Sequence, residues 1–112
     1  MQAYVSSEHD GDVMTVVVTG DVDLAASSAV EEAILRAVGE AGVTLVRVDL
    51  SAVNFLDSSG ITLLLKGRRR ADERGVAYRV SGAHGMALQV LEITGVWAHL
   101  SGDPDQNQPT AS

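Results

Sequence analysis

The sequence contains no cysteine, which excludes a disulfide framework and a zinc-thiolate site and removes any argument for an oxidising compartment. It has no apolar run near the roughly eighteen residues that a membrane span needs. The opening stretch MQAYVSSEHD lacks the positive n-region and the apolar core of a secretory signal. A cytoplasmic location, with no membrane contact of its own, is the expectation. Positive charge is also scarce: eight Lys and Arg stand against fifteen Asp and Glu, for a formal net charge of -7 and a pI near 4.7. A phosphate surface repels such a chain overall, so direct nucleic-acid binding is not expected. No glycine-rich loop ends in Gly-Lys-Ser or Gly-Lys-Thr, the pattern that cradles nucleotide phosphates. Asp10, Asp12, Asp21 and Asp23 lack the spacing of a calcium loop and read as turn and capping residues, so neither metal nor cofactor is expected.

With 112 residues, 46% of them hydrophobic, the chain has room for one core. Residues 1–101 form the expected domain. GDPDQNQPTAS, residues 102–112, has no large apolar side chain and is expected to be a disordered tail.

Tyr4 and Val5 begin a short strand that breaks at His9-Asp10-Gly11-Asp12, and the run Val13 to Val18 returns as its antiparallel partner. That run is nearly continuous in β-branched residues, which predicts a strand covered on both faces. From Leu24 the composition turns to helix formers behind a capping Asp23. Val30, Ala33, Ile34, Ala37 and Val38 then make one stripe that ends by Gly39 and Gly42. Leu45 to Leu50 alternates as a strand. Ile61, Leu64 and Leu65 open a second helix that runs through KGRRRADERG to Gly75, although Gly67 costs it roughly 1 kcal/mol relative to alanine. Val76 to Val80 is a strand. A third helix, from about Gly85 to Thr94, presents Ala87, Val90, Leu91 and Thr94 on one face. Val96, Trp97 and Leu100 add a final short strand or a packed cap. The order ββαβαβα predicts an α/β fold: a mixed, mostly parallel sheet of about 4–5 strands with an antiparallel N-terminal hairpin edge, flanked by about 3–4 helices.

The chemistry concentrates in Val48 to Lys66, VDLSAVNFLDSSGITLLLK. It reads as an apolar strand, a short polar crossing, and the pair Ser58-Ser59 at the mouth of an amphipathic helix. Hydroxyls there face the positive end of a helix dipole, where phosphate or a carboxylate is received. Asp57 or Ser58 serves as a helix cap in the plainest reading, with Gly60 allowing close packing. A serine nucleophile is a poor fit, because a hydrolase elbow needs G-x-S-x-G and Asp57 or Leu56 stands where the first glycine belongs. No sequence feature brings His9, His84 or His99 to the serines as a base, and no enzymatic activity is expected. A phosphoacceptor is the remaining reading. A phosphoserine adds about -1.5 to -2 charges, suits the dipole, clashes with Asp57 and Asp23, and so changes a surface rather than a fold. The residues alone leave capping and switching level.

Three motifs in order resemble the STAS domain family of bacterial anti-sigma factor antagonists, over roughly residues 3 to 100. Gly20-Asp21-Val22-Asp23-Leu24 resembles the family's G-E-[LIV]-D pattern. Val48-Asp49-Leu50-Ser51 with Phe55-Leu56-Asp57-Ser58-Ser59-Gly60 resembles its D-[LS]-x-x-x-[FY]-[LIM]-D-[ST]-[ST]-G signature, the most specific of the three. Leu91-Glu92-Ile93-Thr94-Gly95-Val96 resembles its closing L-x-[LI]-T-G-[LV] segment.

The resemblance implies a partner-switching regulator. The unphosphorylated antagonist binds an anti-sigma factor that is also a serine kinase and so releases a sigma factor. Phosphorylation expels the antagonist, and a phosphatase resets it. Carried over by position, Ser58 is the phosphoacceptor, with Asp23, Asp57, Ser59 and Gly60 around it. A monomer or weak homodimer is expected. The alternative is a non-enzymatic STAS subunit of a larger assembly, such as a lipid transporter or a stress-signalling complex, without kinase control. Where many family members carry leucine and then small residues after the motif glycine, this chain has Ile61-Thr62-Leu63-Leu64-Leu65 and then the basic run Lys66 to Arg70. That run reads first as a solvated helix face and second as a partner-facing patch.

Overall fold

Residues 3–101 are described by the computed structural model, and the tail expected over residues 102–112 lies outside them. β1 (Tyr4–Asp10) and β2 (Val13–Val22) pair antiparallel from Tyr4 opposite Thr19 to Asp10 opposite Val13. β1 runs well past the Tyr4-Val5 signal because an edge strand needs only backbone pairing, and its residues from Ser6 onward are exposed. β3 (Leu45–Leu56) lies parallel to β2, and β4 (Ala77–Ser81) parallel to β3, giving the spatial order β1-β2-β3-β4. The parallel pairs follow from the crossovers α1 (Leu24–Val38) and α2 (Ser58–Arg74), since a return to the same sheet in the same direction needs a connection of that length. The mixed four-stranded sheet with an antiparallel hairpin edge is the fold the sequence predicts.

Among the described residues only one face of this sheet is packed. Met14, Val16 and Val18 of β2, Val46, Val48 and Leu50 of β3, and Tyr78 and Val80 of β4 are buried together with Val30, Ile34 and Ala37 of α1 and Leu63 and Leu64 of α2. The alternate residues Val13, Thr15, Val17, Leu45, Arg47, Asp49 and Arg79 are half-buried, and none belongs to that core. The expectation that β2 is covered on both faces is therefore corrected. Its valines alternate between a helix-packed side and an open one, and β-branched residues suit both because they fit a pleated surface. The molecule's shortest dimension, 20 Å, fits one sheet under one layer of helices.

β3 does not end at a polar crossing, as its sequence suggests. It continues through Ser51-Ala52-Val53-Asn54-Phe55 to Leu56. Two register shifts against β2, between Val17 and Thr19 and between Gly20 and Asp21, each insert an extra residue on the β3 side. They change the buried period from two to three, so that Leu50, Val53 and Leu56 face the core while Ser51, Ala52, Asn54 and Phe55 are exposed. Gly20, with φ 101°, supplies the backbone conformation that a side chain resists beside the second shift.

α3 (Gly85–Ile93) buries Ala87 and Leu91, while Thr94 just beyond it is exposed and hydrogen-bonds back to Val90. The segment around Trp97 is a short helix, α4 (Trp97–Ser101), and not the final strand that was one expectation. Val96 and Leu100 are four residues apart and fall on one helical face. Leu100 N–H bonds to Val96 O at 2.9 Å, Leu100 is fully buried, and Trp97 packs half-buried against the core.

Candidate functional site

Asp57 builds the site. It follows β3, caps α2, and its Oδ1 accepts from Ser59 N at 2.9 Å and Gly60 N at 3.3 Å, satisfying two of the four free amides of the first turn. Ser59 Oγ donates to the same Oδ1 at 2.5 Å. That hydroxyl holds the Asp57 carboxyl below the usual carboxylate range. Partial desolvation opposes the shift, and the Gly60 and Ser59 amides add to it.

The two serines consequently differ. Ser59 is half-buried and its proton is committed to Asp57. Ser58 is exposed, and among the described residues its hydroxyl has no hydrogen-bond partner; only its carbonyl is engaged, by Thr62 Oγ1 at 2.9 Å. Ser58 thus carries the free hydroxyl of the pair.

Gly60 fixes how closely this turn approaches the sheet. A methyl group on it would run into the Leu56 side chain and lie 3.2 Å from Val22 Cγ1, both residues fully buried at the ends of β3 and β2. Asp57 N–H bonds to Val22 O at 3.3 Å, so the two strand ends are tied together. The next residue after Val22 is Asp23, which caps α1 by accepting from Ala26 N at 3.0 Å. Every site residue expected from the sequence, Asp23, Asp57, Ser58, Ser59 and Gly60, therefore falls at the carboxyl ends of the adjacent strands β2 and β3, beside two helix N-termini.

Sequence reasoning missed the apolar residues around this end. Leu24 opens α1 and is 76% exposed, Met86 in the first turn of α3 is 55% exposed, and Phe55 at the end of β3 is 37% exposed. Leu24 was findable, since it lies outside the Val30–Val38 stripe; Phe55 was not, since its exposure depends on the β3 register shift. His84 Nε2 lies 2.8 Å from Ser51 O, and among the described residues no histidine is hydrogen-bonded to either serine.

The basic run is largely paired within the chain. Lys66 meets Glu31 at 3.4 Å, Arg68 meets Asp72 at 3.4 Å, and Arg70 meets Glu73 at 3.5 Å; Arg68 also donates to His99 O. A cavity of about 230 Å³ lined by Glu31, Leu35, Lys66, Arg69, Arg70 and Glu73 opens there, at the far end of α2 from Ser58. Among the described residues no cluster of His, Asp or Glu has the makings of a metal site, and no helix is long and apolar enough to cross a membrane.

A family model described as the STAS domain matches residues 4–104. The chain belongs to the STAS domain family. A comparison with curated protein sequences returned no significant match. Among solved structures, this STAS domain is similar to an anti-sigma factor antagonist from Mycobacterium paratuberculosis, with 24% identity over 88% of this chain and 82% of that one and a TM-score of 0.78. It is similar to the Bacillus cell fate determinant SpoIIAA in its phosphorylated form, with 19% identity over 87% of each chain and a TM-score of 0.65. It also matches part of the murine anion transporter Slc26a9, with 20% identity over 85% of this chain but only 16% of that one and a TM-score of 0.71. At these identities the likeness is one of fold. The STAS fold thus serves anti-sigma factor antagonists and transporters alike.

Proposed function

We propose that this STAS protein is an anti-sigma factor antagonist controlled by phosphorylation of Ser58, a cytoplasmic binding switch with no enzymatic activity of its own. Unphosphorylated, it binds an anti-sigma factor that is a serine kinase, and a sigma factor is released for transcription. The kinase transfers the γ-phosphoryl group of ATP to Ser58 Oγ, the complex parts, and a phosphatase restores the hydroxyl. The observation that carries this reading is the division between the serines, with Ser59 bound to Asp57 and Ser58 exposed and unpaired. Leu24, Phe55 and Met86 at the same end of the sheet supply the apolar contact that a protein interface needs at its centre. A phosphate set among them without a cationic partner costs about 4 kcal/mol, a thousandfold in affinity.

Incubation with an anti-sigma factor kinase and ATP, followed by intact mass and peptide mapping, is expected to find one phosphate, on Ser58. Equal phosphorylation of Ser58→Ala would overturn the assignment. The match to part of Slc26a9 favours a second reading, a STAS subunit of a larger assembly that no kinase touches. Ser58→Asp separates the two. The switch loses its partner on that substitution, whereas a kinase-independent subunit retains it in a pulldown with identification of the bound proteins.

A further inference from the structure

The open face of the sheet carries charge in an ordered row. The strand register aligns Glu8, Thr15, Arg47 and Arg79 across the four strands, one residue from each. The acidic end lies on the β1 edge and the basic end on the β4 edge, with Val13 and Leu45 in the adjoining row. At about 4.8 Å per strand, Glu8 and Arg79 are some 14 Å apart along the row and do not pair within one chain. Arg47 and Arg79 stand directly opposite each other on neighbouring strands, a like-charge arrangement that disfavours the sheet unless an anion intervenes. Among the described residues none of Glu8, Arg47 and Arg79 has an ion pair, and Arg79 Nε is buried with no hydrogen-bond acceptor.

We propose that this face is a self-association surface on which a second copy of the chain stacks sheet to sheet. The row is complementary to its own reverse. A two-fold axis parallel to the strands, between faces about 10 Å apart, lays β1 over the partner's β4 and Glu8 over the partner's Arg79, twice in each dimer. The incoming carboxylate stands between Arg47 and Arg79 and is received by the charge of the Arg79 guanidinium. Val13 and Leu45 of each copy close over one another beside the charged row. The surface lies on the face away from the helices, so a dimer leaves Ser58 at the rim, and the inference stands whether or not Ser58 is phosphorylated.

Analytical ultracentrifugation tests it. The wild-type chain is expected to show a monomer–dimer equilibrium, and Glu8→Arg or Arg79→Glu alone to raise the dimer Kd at least about tenfold by setting like charges against each other. An equimolar mixture of these two variants restores both contacts in the heterodimer and is expected to dimerise within about threefold of wild type, as is the chain carrying both substitutions. Restoration by mixing shows that both variants are folded and that the contact runs between copies. A wild-type chain monomeric at about 1 mM, single variants that dimerise normally, or a mixture that stays monomeric would each overturn the proposal. The first result would leave the face to a different occupant.

Discussion

Ser59 Oγ lies 2.5 Å from Asp57 Oδ1, and this one hydrogen bond makes two adjacent hydroxyls chemically different. Ser59 is half-buried with its hydroxyl held on Asp57, whereas its neighbour Ser58 is exposed and, among the described residues, has an unpaired hydroxyl. Ser59→Ala is accordingly expected to leave phosphorylation of Ser58 intact and to cost about 1 kcal/mol of stability, the usual net worth of a hydrogen bond. Ser58→Ala is expected to abolish phosphorylation and to change stability by less than about 0.5 kcal/mol, because its exposed hydroxyl holds nothing in place. Phosphate transfer and denaturant melts on both variants check the pair, and a phosphate on Ser59 in Ser58→Ala would break the argument.

Asp57 sets an acid limit on the stability of the fold. The Ser59 hydroxyl and the first-turn amides stabilise its ionised form, so its carboxyl in the folded chain lies below that of the unfolded chain, near 3.9. A depressed carboxyl contributes stability that is present in full above the unfolded value and is lost as pH falls through the folded one. The stability difference between wild type and Asp57→Asn should hold level above about pH 5 and shrink below about pH 4. Asparagine keeps the capping acceptor and removes only the charge. Denaturant titrations from neutral to acid pH measure the difference, and a gap that stays constant into the acid range would show that Asp57 contributes no charge-dependent stability.

The elements whose side chains follow one period were legible in the sequence. The stripe Val30, Ala33, Ile34, Ala37 and Val38 is the face that α1 turns to the core, with Ala33 half-buried. The alternation of Val46, Val48 and Leu50 marks the packed side of β3. What misled was a change of period inside one strand. Ser51 to Leu56 buries every third residue because of two register shifts, and no local rule separates such a strand from a polar crossing. The valines of β2 misled for another reason: a strand with one open face still favours β-branched residues there, so a continuous run does not report coverage. At the candidate site, the motif aspartates were legible as caps, since capping is local. The hydrogen bond that separates Ser59 from Ser58 was not, because it depends on which way two hydroxyls turn, and only the family resemblance singled out Ser58.

Gly67 overturns a simple propensity argument. Alanine in mid-helix gains about 1 kcal/mol over glycine, yet a methyl group on Gly67 would stand 2.5 Å from Tyr78 Oη and 2.7 Å from Ile34 Cγ2. Both neighbours are buried side chains of β4 and α1, so α2 has to move outward to admit it. Gly67→Ala should destabilise the chain by about 1–3 kcal/mol, as overpacking does. Removing the phenol oxygen with Tyr78→Phe should recover part of that loss in the double variant, a coupling that denaturant unfolding of the four-member cycle measures. A Gly67→Ala chain more stable than wild type would refute the close approach.

Tyr78 sets the alkaline limit. Its ring lies in the core and its hydroxyl donates to Leu64 O at 3.0 Å, joining β4 to α2. Burial pushes its ionisation well above the ordinary value near 10, because the phenolate would be stripped of water, and the positive charge of Arg68 only partly offsets this. A phenol raised in the folded state adds stability to the ionisation balance below the unfolded value and loses it as pH climbs from there toward the folded one. Wild type should therefore weaken above about pH 10 more steeply than Tyr78→Phe, whose buried ring has no proton to lose. Near neutral pH the same substitution should cost about 1 kcal/mol for the missing hydrogen bond. Of the two tyrosines, Tyr78 should give its tyrosinate absorbance only together with loss of the far-ultraviolet helical signal. A phenolate band from Tyr78 in a chain that still shows full helicity would mean that water reaches the β4–α2 contact, and the steep alkaline loss would then vanish.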